Sequence, residues 1–186
     1  AGWGCNFPMD FRRSYLYTTY IRRVSSAGDG SFYFGCHNCR YNSGGTLTSQ
    51  SNPYFDYFGT SYLNRYDWYL CYYVIRGNED SAYSGTVPFN GIWKLSDGSR
   101  VRGPATGNIG NGAIQPTGTT GTGVHRTYLY YAGGGNTTTL QWYNPGVYLI
   151  DGTEPSLNQL LGVPDRASLT TEWSSIDNAN NSWTSN

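Results

Sequence analysis

Charged side chains are scarce in this chain of 186 residues. Asp, Glu, Lys and Arg together make up 13% of it, which is about half of the ~25% that is usual in soluble proteins. Lys94 is the only lysine, and the formal net charge is zero. Because nucleic acids are bound through clustered Lys and Arg side chains, no nucleic-acid partner is expected.

Long apolar runs and helical patterns are also missing. No apolar run approaches the ~20 residues that a helix needs to span a bilayer, so membrane insertion is not expected. Only the segment 156–167 has helical character, with Ser156 as a cap, three leucines on one face and Gly162 at the end. We therefore expect at most one short helix, near Leu157–Leu161.

Motifs of common catalytic sites do not occur. The chain has no G-x-S-x-G, no H-E-x-x-H and no P-loop, and it has only three glutamates. Glu79 and Asp80 follow Gly77-Asn78 in a segment typical of a solvated turn. We expect a protein that is not an enzyme and needs no cofactor. A secreted glycan-active hydrolase stays an alternative, because its two carboxylates can come from distant positions.

Aromatic residues are abundant, with 18 Tyr, 6 Trp and 7 Phe. β-branched and aromatic runs alternate with Gly, Pro, Asn and Ser at short intervals, which is typical of an all-β domain. The strongest strands are 15–24 and 66–77. In the latter, large side chains alternate on both faces, which indicates a central strand covered on both sides.

Turn signals arrange the second half of the chain. Asp97-Gly98 predicts a hairpin within 85–103. A second hairpin is expected over 127–143, and a further strand over 145–152. The Gly/Thr-rich segment 104–123 reads as a long loop. Several short strands at this spacing predict an antiparallel β-sandwich or barrel.

Four cysteines occur, Cys5, Cys36, Cys39 and Cys71. A zinc site built from three of them and a histidine, a redox dithiol and a catalytic Cys/His pair are alternatives, but no supporting motif surrounds these residues. An even number of cysteines in such a chain favours two structural disulfides and no metal. Of the three connectivities, we favour Cys5 and Cys71 each pairing into the turn 36–39.

The segment 52–68 is the best binding candidate. It interleaves tyrosines with carboxylate, amide and guanidinium groups, which is the mixture that sugar recognition needs. Protein-contact surfaces use the same residue types, and any single ring could instead fill the core. We place this segment on a loop and assign contact roles to Tyr54, Asp56, Tyr62, Asn64 and Arg65.

A second candidate lies at the end of the long Gly/Thr segment. His125 and Arg126 follow it directly, and we expect the stretch 119–126 to border the same pocket. A lone histidine near a strand is more often packed in the core or solvated, so this assignment depends on the pocket being there.

The layout resembles the N-terminal receptor-binding (lectin) domain of a two-domain chaperone–usher fimbrial tip adhesin. The start AGWGCNF looks like the product of signal-peptide cleavage and places Cys5 a few residues in. The stretch NPGVYLIDG (144–152) is similar to late strands of fimbrial proteins. The Ser/Asn/Thr-rich residues 174–186 resemble a linker to a pilin domain, after a receptor-binding domain at 1–173.

This resemblance implies a β-sandwich of immunoglobulin-like or jelly-roll type at the cell surface or fimbrial tip. It would bind a host glycan or glycoprotein as a monomer, with a pilin domain downstream. The resemblance brings no site residues with it. A protein-binding adhesin, which would show flat exposed aromatics in place of a pocket, stays an alternative, as does a phage or viral receptor-binding domain.

Overall fold

The computed structural model describes most of the first 162 residues. The described ranges are 2–25, 30–36, 39–43, 46–50, 54–77, 89–103, 114–116, 120–130 and 138–162. The domain boundary at residue 173 and the linker 174–186 lie outside the described residues.

Strands make up most of the described chain. They are β1 (Gly2–Asp10), β2 (Tyr15–Arg23), β3 (Ser31–Gly35), β4 (Cys39–Ser43), β5 (Thr46–Gln50), β6 (Tyr54–Gly59), β7 (Trp68–Ile75), β8 (Gly91–Lys94), β9 (Arg100–Arg102), β10 (Ile114–Pro116), β11 (Thr120–Tyr130) and β12 (Leu140–Leu149). A 3-10 turn covers Thr60–Tyr62, and the α-helix α1 covers Leu157–Gly162.

The strands form two sheets. Sheet A has the order β1-β11-β3-β6, and sheet B has the order β12-β2-β7-β10-β4-β5, with β8 and β9 branching from β7. Among the described strands every pairing is antiparallel except that of β10 with β7, and an isolated parallel bridge joins Arg23 to Arg65. The predicted all-β antiparallel sandwich with one short helix is therefore confirmed, and the helix lies where the leucine pattern placed it.

The main core lies between the two sheets. Phe32 and Phe34 of sheet A and Tyr17 and Tyr73 of sheet B belong to one buried cluster, and the rings of Phe34 and Tyr73 have centroids 5.5 Å apart. These side chains are almost fully removed from water, which is the dominant favourable term in folding. Aromatic rings from both sheets therefore form much of the core of the sandwich.

A second, smaller core covers the outer face of sheet B. Leu16 and Tyr20 of β2 pack there with Leu160 of α1, and the Tyr20 hydroxyl donates a hydrogen bond of 2.9 Å to the Leu160 carbonyl oxygen. The helix starts with a reciprocal cap, in which Ser156 and Gln159 each accept a hydrogen bond from the other's backbone N–H. A short helix therefore seals this face.

Strand β7 lies between the two cores, as its sequence pattern predicted. All eight of its residues are buried. Tyr69, Cys71, Tyr73 and Ile75 belong to the core between the sheets, while the alternate residues Trp68, Leu70, Tyr72 and Val74 belong to the outer core. Both faces of the predicted central strand are confirmed.

Two predictions for the second half of the chain were wrong. The expected hairpin over 127–143 does not form, because β11 pairs with β1 and β3 in sheet A while β12 pairs with β2 in sheet B. The segment 104–123 is also not wholly a loop, since it contains β10 and the first residues of β11. The hairpin at Asp97-Gly98 is confirmed, and Gly98 has the positive φ of 68° that its turn requires.

The predicted framework of two disulfides is not formed. No disulfide joins any two of the three cysteine side chains that the structure describes, and Cys5 is exposed on β1 with a free thiol. Strand β11 separates Cys5 from Cys36, since Cys5 pairs with His125 while Cys36 follows Gly35, the partner of Arg126. Two strand spacings amount to about 9–10 Å, beyond the ~7 Å that a disulfide allows between Cα atoms.

Cys71 lies apart from Cys39 for a similar reason. Cys39 lies on β4, which is separated from β7 by β10. In addition, β10 meets β7 at Ile75, four residues beyond Cys71. Cys36 and Cys71 are both fully buried in the core between the sheets, but no disulfide joins them. The turn 36–39 therefore does not collect Cys5 and Cys71 as proposed from the sequence.

Candidate functional site

The predicted binding segment divides into an edge strand and a turn. Tyr54 and Asp56 lie in β6, at the edge of sheet A, and not on the loop that the sequence suggested. Their side chains are not among those that the structure describes. Tyr62, Asn64 and Arg65 follow in the connection from β6 to β7, and all three are exposed. We call residues 62–66 the aromatic turn.

Backbone hydrogen bonds fix the aromatic turn at several points. Leu63 is buried in the core between the sheets, and its carbonyl oxygen accepts a hydrogen bond of 2.9 Å from Arg23 Nε. The Tyr66 N–H donates to the Arg23 carbonyl at 2.8 Å, and the Asn64 N–H donates to the Tyr69 hydroxyl at 2.9 Å. The turn is therefore held against β2 and β7 by its main chain.

Its two tyrosine rings point to solvent. The exposed fraction is 74% for Tyr62 and 56% for Tyr66, higher than for any other large hydrophobic residue in the described ranges. The Arg65 guanidinium carbon lies 4.4 Å from the centre of the Tyr66 ring, and Arg65 Nε donates a hydrogen bond of 2.8 Å to the Val24 carbonyl. This combination fixes a cation over an aromatic surface.

Tyr66 has an unusual backbone conformation. Its φ is 69°, in the left-handed region that residues other than Gly and Asn seldom adopt. Such conformations cost on the order of 1–3 kcal/mol and persist where the surrounding structure holds them. The hydrogen bond from the Tyr66 N–H to Arg23 holds this one. The ring of Tyr66 is exposed, and the buried strand β7 begins two residues later.

Charge at the turn is unequally compensated. Asp67 forms an ion pair of 2.9 Å with Lys94 and accepts a hydrogen bond of 3.2 Å from Asn64 Nδ2. The hydrogen bond that the Lys94 ammonium group donates to Asp67 raises the pKa of Lys94. Arg65, in contrast, is paired with no carboxylate in the part of the chain that the structure describes. This surface therefore presents two rings, an amide and the Arg65 cation, which has no carboxylate partner among the described residues.

His125 and Arg126 do not border the aromatic turn. The aromatic turn follows Gly59 of β6. Gly59 pairs with Ser31 of β3, and Ser31 pairs with Tyr130 of β11, so these three residues lie in one row across sheet A. Arg126 lies four residues further along β11, about 13 Å away. Both side chains are buried, and the backbone row of Arg126 continues through Gly35 to Tyr54. The structure thus brings together Tyr62, Asn64 and Arg65, but not the whole predicted set.

His125 lies instead at an apolar cleft between the two sheets. The cleft has a volume of about 340 Å³ and opens beside the edge strands β1 and β12. Its lining is formed by Trp3, Cys5, Phe7, Tyr15, His125, Pro145 and Val147. Phe7 reaches over β11 because it faces Gly123, where a Cβ atom would lie only 2.6 Å from the Phe7 ring. Among the described residues, this lining contains no Asp, Glu, Lys or Arg side chain.

The His125 imidazole is enclosed by aromatic rings. Trp3, Tyr17 and Phe34 each meet it edge-on, with ring centroids 4.8, 5.2 and 5.3 Å away. Burial lowers the pKa of His125 from 6.5 to about 3, so the ring is neutral at physiological pH. Its Nε2 atom is buried and has no hydrogen-bond partner among the described residues.

Four carboxyl groups in the described ranges are poorly suited to act as general acids. The pKa of Asp10 is lowered to about 2, mainly by its hydrogen bond with Arg12. The pKa values of Asp97, Asp151 and Glu154 are also lowered by hydrogen bonds. A general acid needs a raised pKa. Within the same described part, no group of three or more His, Cys, Asp and Glu side chains is placed to hold a metal ion.

Sequence reasoning missed the cleft because it missed β1. Trp3, Cys5, Phe7 and Met9 alternate with smaller or polar residues, and this period of two predicts a strand with one apolar face. The inward position of His125 follows from the same register, since it pairs with Cys5. The signal was present in the first ten residues.

Comparison with known proteins adds no relative: no family model, no curated protein and no solved structure matches this chain. Within the described ranges, no helix has the length and apolar character required to cross a membrane.

Proposed function

We propose that this chain is the receptor-binding domain of an extracellular adhesin and that it binds a host-surface glycan at the aromatic turn without catalysis. The observation that carries the proposal is the pair of exposed rings, Tyr62 and Tyr66, on a turn whose main chain is fixed. Exposed aromatic residues close together on a rigid surface are typical of binding sites. Their faces can stack on the apolar face of a sugar ring.

Polar groups beside the rings support a hydroxylated ligand. The exposed Asn64 side chain has a carbonyl oxygen that can accept hydrogen bonds from sugar hydroxyls. Arg65 can donate several hydrogen bonds in a fixed fork and has no carboxylate partner in the described chain, so an acidic sugar would suit it best.

A protein partner is the second candidate, and one observation favours it. Tyr62 and Tyr66 project from the surface and do not line the cleft, whose residues all lie elsewhere. Protruding Tyr and Arg side chains are also enriched in protein–protein contacts. The same surface could therefore recognise the protein part of a host glycoprotein.

The experiment is a glycan array with the purified chain, followed by titration of the best glycan into three variants. Tyr62→Ala and Arg65→Ala should each weaken binding by about fivefold or more, because one aromatic or cation–π contact contributes about 1 kcal/mol. Tyr62→Phe keeps the ring and should bind nearly normally. Phe89→Ala is the matched control, since it removes another exposed ring, 52% exposed, near β8.

Two results would overturn the proposal. If no glycan is bound, but an enzymatically deglycosylated host glycoprotein is bound in a Tyr62-dependent way, the partner is a protein. If a glycan is bound equally by Tyr62→Ala, Arg65→Ala and the parent chain, the glycan site lies elsewhere. Melting temperatures close to that of the parent chain show that the variants are folded.

A further inference from the structure

The cleft between β1 and β12 lies at the opposite edge of sheet A from the aromatic turn. β1 forms one edge of this sheet and β6, which leads into the aromatic turn, forms the other. A ligand in the cleft would therefore be distinct from a glycan at the turn. The cleft also differs in chemistry, because its lining is apolar apart from a thiol, a phenol and an imidazole.

His125 is the unusual group in this lining. Its side chain is only 2% exposed, it is neutral, and Nε2 has no hydrogen-bond partner in the described chain. A buried polar atom without a partner is costly and rare in native proteins, and it calls for a specific explanation. A ligand that completes the hydrogen bonding of the imidazole from within the cleft would provide one.

The volume of the cleft and the charge of its lining restrict the class of ligand that it can bind. A volume of about 340 Å³ is more than twice the ~150 Å³ of an apolar cavity that holds a benzene ring. It therefore has room for a molecule of about two rings. The described lining contains no Asp, Glu, Lys or Arg to pair with an ionic ligand, and it has too few polar groups for the many hydroxyls of a sugar.

We propose that this cleft binds a neutral, largely aromatic small molecule with a single hydroxyl group, which hydrogen-bonds to the His125 imidazole. Trp3, Phe7 and Val147 enclose the rings of the ligand. Tyr15 and Pro145 complete the apolar wall, and the exposed Cys5 lies at the rim. Because the neutral imidazole has one donor and one acceptor nitrogen, a hydroxyl group can complete either one.

A matched pair of probes tests the proposal. 2-Naphthol and naphthalene have the same two rings, and only the first has a hydroxyl group. Binding to the full chain is followed by NMR of the histidine ring signals, with those of His125 assigned from the His125→Phe variant. The accessibility of the cleft is followed by the rate at which iodoacetamide alkylates Cys5, read from the Cys5 peptide by mass spectrometry.

We expect 2-naphthol to shift the His125 signals, to slow alkylation of Cys5 and to bind at least about fivefold more tightly than naphthalene, as one buried hydrogen bond would give. In His125→Phe this preference should disappear while naphthalene still binds. Val147→Phe should block both probes by filling the cleft. Cys5→Phe, on the exposed rim, provides a second blocking variant if Val147→Phe does not fold.

Two outcomes would contradict the cleft proposal. If neither probe protects Cys5 or moves the His125 signals, the cleft is not a ligand site. If the two probes bind with equal affinity in both the parent chain and His125→Phe, the cleft is only an apolar cavity and the role given to His125 is wrong. Neither result affects the glycan proposal, which concerns the other edge of sheet A.

Discussion

At the scale of single residues, Tyr66 and His125 each have a feature that is unfavourable on its own. Tyr66 has a strained backbone with φ of 69°, and His125 has an unpartnered buried nitrogen. Strained and unsatisfied groups of this kind concentrate at functional sites, because other interactions must hold them in place. Each gives a test in which stability and binding are expected to move in opposite directions.

Replacing Tyr66 by Asn should relieve the backbone strain, since Asn tolerates the left-handed region better than Tyr. The variant loses the ring and its contact with Arg65, which is about 0.5–1 kcal/mol at an exposed site. We therefore expect a melting temperature that is unchanged or slightly higher, together with weaker glycan binding. Calorimetry and titration measure the two quantities. A clear loss of stability would show that the ring stabilises the turn.

Replacing His125 by Phe should stabilise the fold by about 1 kcal/mol, because the ring keeps its aromatic neighbours and the unpartnered nitrogen disappears. It should also remove a pH dependence. The folded-state pKa of about 3 lies below the ordinary 6.5, so the stabilising contribution is complete above pH 6.5 and is lost as the pH falls towards 3. The side chains that face the imidazole from β1, β2 and β3 are Trp3, Tyr17 and Phe34, and Cys5 lines the same cleft.

Urea denaturation at several pH values measures this effect. Between pH 6.5 and 3 the parent chain should lose up to about 1.4 kcal/mol per pH unit more than His125→Phe does, which is the slope for one proton. Equal slopes in the two proteins would mean that His125 is solvated in solution.

At the scale of elements, the sequence determined strand character well but not strand partners. Alternation in 66–77 predicted both faces of β7, and the Ser156 cap with its leucines predicted α1. The failed hairpin over 127–143 shows the limit. A period of two tells which residues share a face, but β11 and β12 are assigned to different sheets by long-range pairing with β1 and β2.

The candidate site shows the same division. Exposed Tyr62, Asn64 and Arg65 could be proposed from composition and from the turn residues nearby. The separation of Arg126 from them could not, because it depends on the register of three neighbouring strands. Composition also gave no sign that the edge strand β6 would carry Tyr54 and Asp56.

The hydrogen bond from Tyr20 to the Leu160 carbonyl joins α1 to sheet B and can be removed cleanly. In Tyr20→Phe the ring still packs in the outer core, but the bond to the Leu160 carbonyl is lost. We expect a loss of about 1–2 kcal/mol, since a buried acceptor is left unsatisfied. Ser156→Ala, which removes only the cap, should cost about 1 kcal/mol or less. Hydrogen exchange at the Leu160 amide should accelerate in both variants, and unchanged exchange would mean that the helix is held by its leucines alone.

At the scale of the whole molecule, the cysteines report on how the sandwich is closed. Cys5 is exposed at the cleft, whereas Cys36 and Cys71 are fully buried between the sheets. In the native chain we expect iodoacetamide to label Cys5 rapidly, with Cys36 and Cys71 protected until the domain unfolds. Peptide mass spectrometry with and without denaturant measures this. Protection of Cys5 from iodoacetamide in the native chain would instead support the disulfide that the sequence predicted for it.

Met9 is the only methionine of the chain and ends the apolar face of β1, where its sulfur accepts a hydrogen bond of 3.6 Å from the buried Tyr17 hydroxyl. Cyanogen bromide, which cuts after methionine, would therefore sever β1 from β2 at a single point. The freed strand would be held only by β11 and by its rings over the core. Its departure would uncover His125 and the interior of the sandwich. A synthetic β1 peptide added back should then compete for the vacated edge, which would make this domain a system for strand exchange in which the filling of a sandwich can be followed one strand at a time.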